Sequence, residues 1–260
     1  MKKNMTLLVL LSKNALKTSF ENHVGAILFL VGKFLRFIFY FLFVYYLLSN
    51  TKTLAGYTLN QTLLFFIVFN IVDTTTQLIF REVYRFRTLV VNGELDGILI
   101  KPYHPFIRIL VGGPDPLDMV MLVLYCGLFA YFLPLAVSVD IGHIFLFLIL
   151  LINTFMLAAS FHIVVLALGI LTTEVDHAMM IYRDVTRVGT LPIDIYKEPL
   201  RSIFTFILPV GIMMTFPVKA LLGMLDYRLI FACVIITSGM LLVSLRLWHY
   251  ALKKYQSWGG

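Results

Sequence analysis

Long apolar runs recur along the chain, and their length decides what it can fold into. They lie at Ile27 to Leu48, Leu59 to Phe80, Leu117 to Val139, His143 to Leu171, Ile203 to Phe216 and Leu229 to His249. A helix needs about 20 apolar residues to cross a hydrocarbon layer roughly 30 Å thick, so five runs are long enough and the fifth is short. Mean hydropathy is +0.91 and only 13% of the 260 residues are charged, which exceeds what one soluble core of this size can hide. The expected fold is an all-α integral membrane protein of six transmembrane helices. It forms a single domain over residues 1–260, with no room for a large soluble domain.

The basic residues give this layout a direction. With the N-terminus inside, 18 of the 21 Lys and Arg residues fall on inner segments, and only Lys52, Lys219 and Arg228 fall outside. Positive loops stay on the cytoplasmic side, so both termini are expected there. This placement puts Arg183, Arg187, Lys197 and Arg201 on the inner side. The net charge of +7 is thereby read as orientation in the membrane, and not as a nucleic-acid surface. Cys126 and Cys233 both sit in apolar runs and read as small hydrophobes.

Met1 to Leu11 has the outline of a signal peptide, but Lys13 and Lys17 follow without a small-residue cleavage site, so the segment is expected to be retained. Leu7, Val9, Leu10, Leu11 and Leu16, mixed with Lys13, Asn14 and Lys17, suit an interfacial helix within residues 1–26. Asp115 can cap the third span, Pro116 fits its first position and Asp118 favours the positive dipole end. Residues 81–116 then form a cytoplasmic segment that is long for a connection. In the fifth run Pro209 and Gly211 break the helix and Pro217 closes it early. Val218 to Met224 is apolar again, which suggests a short re-entrant helix at the outer end.

Polar residues inside the runs mark faces that avoid lipid. Asn70, Asp73 and Gln77 share one helical face of the second span. Counted from the outer ends of their spans at about 1.5 Å per residue, Asp73 lies roughly 21 Å deep, Arg36 roughly 18 Å and Lys33 roughly 22 Å. Asp73 is therefore expected to pair with Lys33 or Arg36. A structural ion pair, a place on a translocation path and snorkelling basic side chains all remain open. His162 reads as a packed, hydrogen-bonded residue ahead of a proton relay, and Asn153 and Ser160 as helix-packing residues. Gly32-Lys33 lacks the rest of a phosphate-binding loop, and no nucleophile elbow, zinc helix or Cys-x-x-Cys pair is present. The chain itself is not expected to be an enzyme.

The cytoplasmic segment reads Val91-Asn92-Gly93-Glu94-Leu95-Asp96-Gly97-Ile98-Leu99-Ile100-Lys101-Pro102, then Tyr103-His104-Pro105. It resembles the Gly-Glu-Leu-Asp and Leu-x-Lys/Arg-Pro pattern of one branch of the ABC-2 type permeases, the six-span subunits of ABC exporters. A second block is similar to the same branch before its last span: Pro192, Ile195, Tyr196, Leu200-Arg201, Ile207-Leu208-Pro209-Val210 and Phe216 to Gly223. Lys197 stands where that pattern has Pro, and Lys219 is a further departure.

The resemblance implies a pair of permeases, identical or different, in the cytoplasmic (inner) membrane of a prokaryote. Two separate ATPase subunits would bind ATP and Mg, and this chain would need no cofactor. It also implies that Arg81, Glu82, Arg85 and Arg87 extend the second helix, and that Glu94, Asp96, Lys101 and Pro102 belong to the element coupling the ATPase. Without the resemblance, the same segment reads as a solvated positive loop. The competing functions are a gradient-driven transporter or channel using Asp73 and His162, and a membrane enzyme acting on lipids. Cargo cannot be read from the sequence.

Overall fold

Helix α1 (Lys2–Ser19) precedes two long helices, α2 (His23–Thr51) and α3 (Leu59–Ile79). A 3-10 turn (Arg81–Arg85) and three short helices, α4 (Phe86–Val91), α5 (Glu94–Leu99) and α6 (Phe106–Ile109), lead into α7 (Pro116–Ala136) and α8 (Ile141–Thr172). Then come α9 (Val175–Arg187) and 3-10 turns at Val188–Thr190 and Ile193–Ile195. Helix α10 (Leu200–Ser202) continues as a π-helical turn (Ile203–Ile207), and a second such turn (Gly211–Thr215) leads into α11 (Phe216–Leu221). The last element is α12 (Tyr227–Lys254). These elements come from a computed structural model that describes residues 2–19, 23–51, 53–113, 115–138 and 140–256. Lys52 and the expected span end at Val139 lie outside the described residues, as do the side chains of Leu7 and Leu16.

Helices α3, α7, α8 and α12 begin where short polar side chains can satisfy the free backbone donors of a first turn. Thr58 and Gln61 form a reciprocal capping box on α3. Asp115 accepts from the Leu117 N–H at 3.0 Å with Pro116 in the first position, as expected from the sequence. Asp140 and Asp226 cap α8 and α12 in the same way.

Contacts at the helix ends divide the bundle into two faces. On one, Asn60 and Gln61 at the start of α3 donate to the Leu135 and Ala136 carbonyls at the end of α7. Gly223, just before α12, lies against the His143 ring at the start of α8. On the other face, the end of α12 meets the 81–115 segment, with Trp248 and Phe106 ring centroids 5.0 Å apart, and α1 meets it through Ala15 beside Gly113. We call this second face the loop face and the first the distal face. Helix α3 runs through the middle of the bundle: 72% of its most apolar stretch is buried, against 11% in α2 and α7.

The fifth crossing is not where the hydrophobic runs place it. Helix α9 starts at the loop face, where Val175 packs on Gly169 and Asp176 faces Arg87. It climbs antiparallel to α8, with Tyr182 against the His162 and Phe161 rings. The Val188–Thr190 turn then carries the chain to Ile193 and Asp194 at the distal face. Asp194 there accepts from the Tyr57 hydroxyl at 2.8 Å. The sixteen residues from Val175 to Thr190 rise about 25 Å in these geometries, enough for most of a crossing. The Ile203 to Phe216 run is instead a re-entrant hairpin. It leaves the distal face at Arg201, turns by 80° between Ile207 and Gly211, and returns to the distal face at Gly223. The expectation of a span at Ile203 to Phe216 is corrected on this point, and Lys197 and Arg201 move from the inner to the distal side.

Asp194 ties the hairpin down. Its carboxylate accepts from Tyr57, from Arg201 at 2.6 Å and from Lys219 at 3.1 Å, joining the α2–α3 connection to both arms of the hairpin. Burial, then the Asp194 carboxylate, holds the Tyr57 hydroxyl well above the usual phenol range, so it stays a donor. Lys219, a departure from the family pattern in the sequence, finds its role here.

The rerouted crossing predicts a labelling pattern. In a chain with Cys126 and Cys233 replaced by Ser, single cysteines at Lys197 and at Gly56 should react with a membrane-impermeant maleimide from the same side. A cysteine at Lys101 should react only from the other. Labelling of the Lys197 position together with Lys101 would restore the span at Ile203 to Phe216.

Candidate functional site

Helices α2, α3 and α9 line an open cavity of about 500 Å³ within the apolar layer, where Arg36 and Arg187 are exposed and Arg183 is half-buried. Its walls follow helical repeats. Helix α2 supplies Arg36, Phe37 and Tyr40, helix α3 supplies Phe66, Phe69, Asn70 and Asp73, and the fifth crossing supplies Arg183, Arg187 and Thr190. Residues 183, 187 and 190 fall at i, i+4 and i+7, which places them on one face, as 66, 70 and 73 are on α3. The aromatic wall is ordered: Phe66 stacks between Phe37 at 5.3 Å and Tyr40 at 5.0 Å.

The polar face expected on the second span is present, with its internal bonds visible. Asn70 donates to the Phe66 carbonyl at 2.7 Å, and Gln77 donates to Asp73 at 2.8 Å. Asn70 and Gln77 are buried and Asp73 is half-buried, opening on the cavity. Asp73 shares that cavity with Arg36, but its hydrogen-bond partner is Gln77 on its own helix.

The expected pairing of Asp73 with Lys33 is corrected. Lys33 forms a hydrogen-bonded ion pair with Asp118 of α7, and its ammonium also lies over the Phe29 ring. Helix bounds explain the choice. Lys33 and Asp118 each lie eighteen residues, about 27 Å, from the distal ends of α2 and α7. Asp73 lies fourteen residues, about 21 Å, from the distal end of α3, level with Arg36 and one turn above Lys33. From the sequence alone Asp118 reads as a dipole partner; the signal for more is that it is the only charge in an apolar span, and its depth matches Lys33 once the helix bounds are known.

His162 is fully buried. Its Nδ1 donates to the Ala158 carbonyl at 2.8 Å, and its ring packs between Phe80 and Tyr182. Ser160 bonds back to the Met156 carbonyl within its own helix.

At the loop face the 81–115 segment separates residues that hold it together from residues that face outward. Glu82 is buried, accepting from Arg108 at 2.5 Å with Arg85 nearby at 3.8 Å. Arg81 pairs with Asp115 and Arg87 with Asp176. Gly112 leaves no alternative side chain, since a Cβ there would sit 1.9 Å from the Arg108 carbonyl oxygen. The turn into α5 passes through Gly93 at φ +71°, a conformation that suits glycine. Leu95 and Ile98 then point into the core, while Glu94, Ile100, Lys101 and Pro102 are exposed. Ile100 is 85% exposed, an unusual place for a large apolar side chain. Burial, then the neighbouring Asp96 carboxylate, pushes the Tyr255 hydroxyl up to about 12, which marks contact between α5 and the chain after α12.

A family model described as ABC-2 family transporter protein matches residues 34–259. The chain belongs to that family. No curated protein matches it. The family supplies membrane components of ABC transporters and works with an ABC ATPase subunit, so this ABC-2 chain is a permease component of such a transporter. The match starts one residue after Lys33, so the Lys33–Asp118 pair joins a residue before the matched region to one inside it.

Sequence reasoning missed Arg183, Arg187 and Thr190 as cavity residues of this ABC-2 permease because α9 is too polar to register as a span. The signal was their shared helical face, adjoining the stripe of Val175, Met179 and Thr186, which are buried.

The Lys33–Asp118 pair sets up an energetic test. Asp118 is fully enclosed, so Lys33→Met strands a buried carboxylate and is expected to cost about 3–5 kcal/mol. Lys33→Met with Asp118→Leu should recover most of that loss. Thermal aggregation of the detergent-solubilised variants, followed by size-exclusion chromatography, measures both, and a double variant no better than the single would refute the coupling.

Proposed function

We propose that this chain is the permease of an ATP-driven exporter, working as one of a pair, with the α2–α3–α9 cavity on the cargo path and two ATPase subunits seated at the loop face. The observation that carries the reading is the construction of the Gly93–Pro102 segment. One side is anchored by fully buried Leu95 and by Ile98, and the other presents Glu94, Ile100, Lys101 and Pro102 outward. A solvated positive loop has no reason to hold an isoleucine out of its core on such a base; a docking surface does.

The loop face is then cytoplasmic. Lys13, Lys17, Arg81, Arg85, Arg87, Lys101, Arg108, Lys253 and Lys254 lie on that side, which agrees with the positive-inside rule after Lys197 and Arg201 have moved. The membrane is the cytoplasmic membrane of a prokaryote. ATP and Mg are held by the ATPase subunits. A push on α5 and α6 reaches the spans through Trp248 and through the Arg87–Asp176 contact at the foot of α9, the helix that lines the cavity. Outward release of cargo follows from rearranging α9 against α2 and α3.

The complex purified in mild detergent from its native membrane tests the reading. The tagged wild-type chain should bring down a phosphate-loop ATPase. Ile100→Asp and Glu94→Lys should each reduce its recovery about tenfold at unchanged permease level, as for a central docking residue. Full ATPase recovery with both variants would remove the segment from the docking surface. Failure of the intact chain to bring down any ATPase would favour a gradient-driven transporter.

A further inference from the structure

The charges around the cavity do not balance. Arg36, Arg183 and Arg187 line it together with one acid, Asp73. Asp73 is occupied by Gln77, and Arg187 pairs at 3.0 Å with Asp184, an exposed neighbour on its own helix. Arg36 and Arg183 have no hydrogen-bonded or ion-paired side chain among the described residues. The other polar groups around them are uncharged: Asn70, Thr190, and the tyrosines Tyr84 near Arg183 and Tyr125 near Arg36. Lys33 and Asp118, one turn lower, neutralise each other. Even with Asp73 and Asp184 both counted, one guanidinium is left without a counter-charge.

A guanidinium held inside an apolar layer without a partner is unfavourable, and such residues mark places where a charged group passes or binds. Guanidinium groups are suited to planar or tetrahedral oxyanions, which they bind through paired N–H donors. Beside them stands the stacked wall of Phe37, Phe66 and Tyr40, an apolar surface with no charge to offer. The cavity therefore joins two recognition elements within one wall of α2: Arg36, and immediately next to it Phe37 and Tyr40.

Resting on the cargo-path reading above, we propose that the cavity selects an anionic amphiphile: a carboxylate, sulfate or phosphate group held by Arg36 and Arg183, attached to an apolar or aromatic body lying on Phe37, Tyr40 and Phe66. Asp73 faces the same space and repels a second anionic group, so a head bearing one anionic group is favoured over a polyanion.

Two fluorescent probes with the same long alkyl chain, one ending in phosphate and the other in trimethylammonium, test this in the full-length chain held in zwitterionic lipid nanodiscs. Fluorescence anisotropy should show the phosphate probe binding about tenfold tighter, as one charge-assisted bidentate contact supplies. Arg36→Gln and Arg183→Gln should each remove that preference by weakening the phosphate probe without weakening the ammonium probe. Phe66→Ala should weaken both probes together. Inorganic phosphate at the same concentration should not displace the alkyl phosphate, and displacement would overturn the amphiphile in favour of a free anion site.

Equal affinity for the two probes, or a phosphate preference that survives both arginine variants, overturns the proposal. So does Arg36→Asp with Asp184→Arg restoring the dimer lost in each single variant, because Arg36 would then be paired with a second copy. ATPase co-purification, measured in parallel, separates this from the broader reading. An ATPase-binding chain without charge preference loses only the cargo class, and a charge-selective chain without an ATPase loses only the exporter.

Discussion

A chain inside a hydrocarbon layer must satisfy its own backbone, because no water is there to do it. The re-entrant hairpin is where that requirement is hardest to meet, since Leu208, Pro209 and Val210 interrupt the helix in mid-layer. The structure meets it from neighbouring elements. Thr154 of α8 donates to the Met213 carbonyl at 3.0 Å, and the Ile193 N–H donates to the Thr215 hydroxyl at 3.0 Å. The π-helical turns on either side take up two more donors, Leu208 N–H to the Ile203 carbonyl and Met213 N–H to the Pro209 carbonyl. Gly211 through Leu221 are almost all buried as a result, so the broken segment is shielded by protein from the lipid. The position of α9 follows from this, because the residues that shelter the break include Gly189, which admits Met214 and Val210 only for want of a side chain.

The same logic governs charge. Lys33 and Asp118 neutralise each other at matched depth, Asp194 gathers Arg201 and Lys219 at the distal face, and Glu82 gathers Arg108 at the loop face. These clusters each join elements distant in sequence and act as fixed points. The arginines of α2 and α9 stand apart from them in the cavity that α2, α3 and α9 line.

Much of this was legible in the sequence. Five spans, the capped start of the third at Asp115 and Pro116, the lipid-avoiding face of Asn70 and Gln77 and the break at Pro209 and Gly211 follow from length, periodicity and turn chemistry. Two things were not. Helix α9 crosses with Asp176, His177, Arg183, Asp184 and Arg187 on it, which hydropathy reads as a loop; it is tolerated because one side packs on α8, the Val188–Thr190 turn that follows packs on α3, and its arginines border a polar cavity. Ion-pair partners depend on helix register, and an error of one turn at a span end exchanged Asp118 for Asp73 opposite Lys33.

Helix α12 has a further geometric consequence. Its 28 residues run unbroken for about 42 Å, from Tyr227 beside the hairpin to Lys254 beyond Trp248. A rod of that length pivoting by about 5° at one end carries the other through about 4 Å. The end at Gly223 has no slack against the His143 ring, so small angular changes there are magnified into displacements comparable to a side chain's width at the loop-face end, beside the ring contact between Trp248 and Phe106. Any leverage between the two sides of the membrane along this helix has its bearing at that glycine.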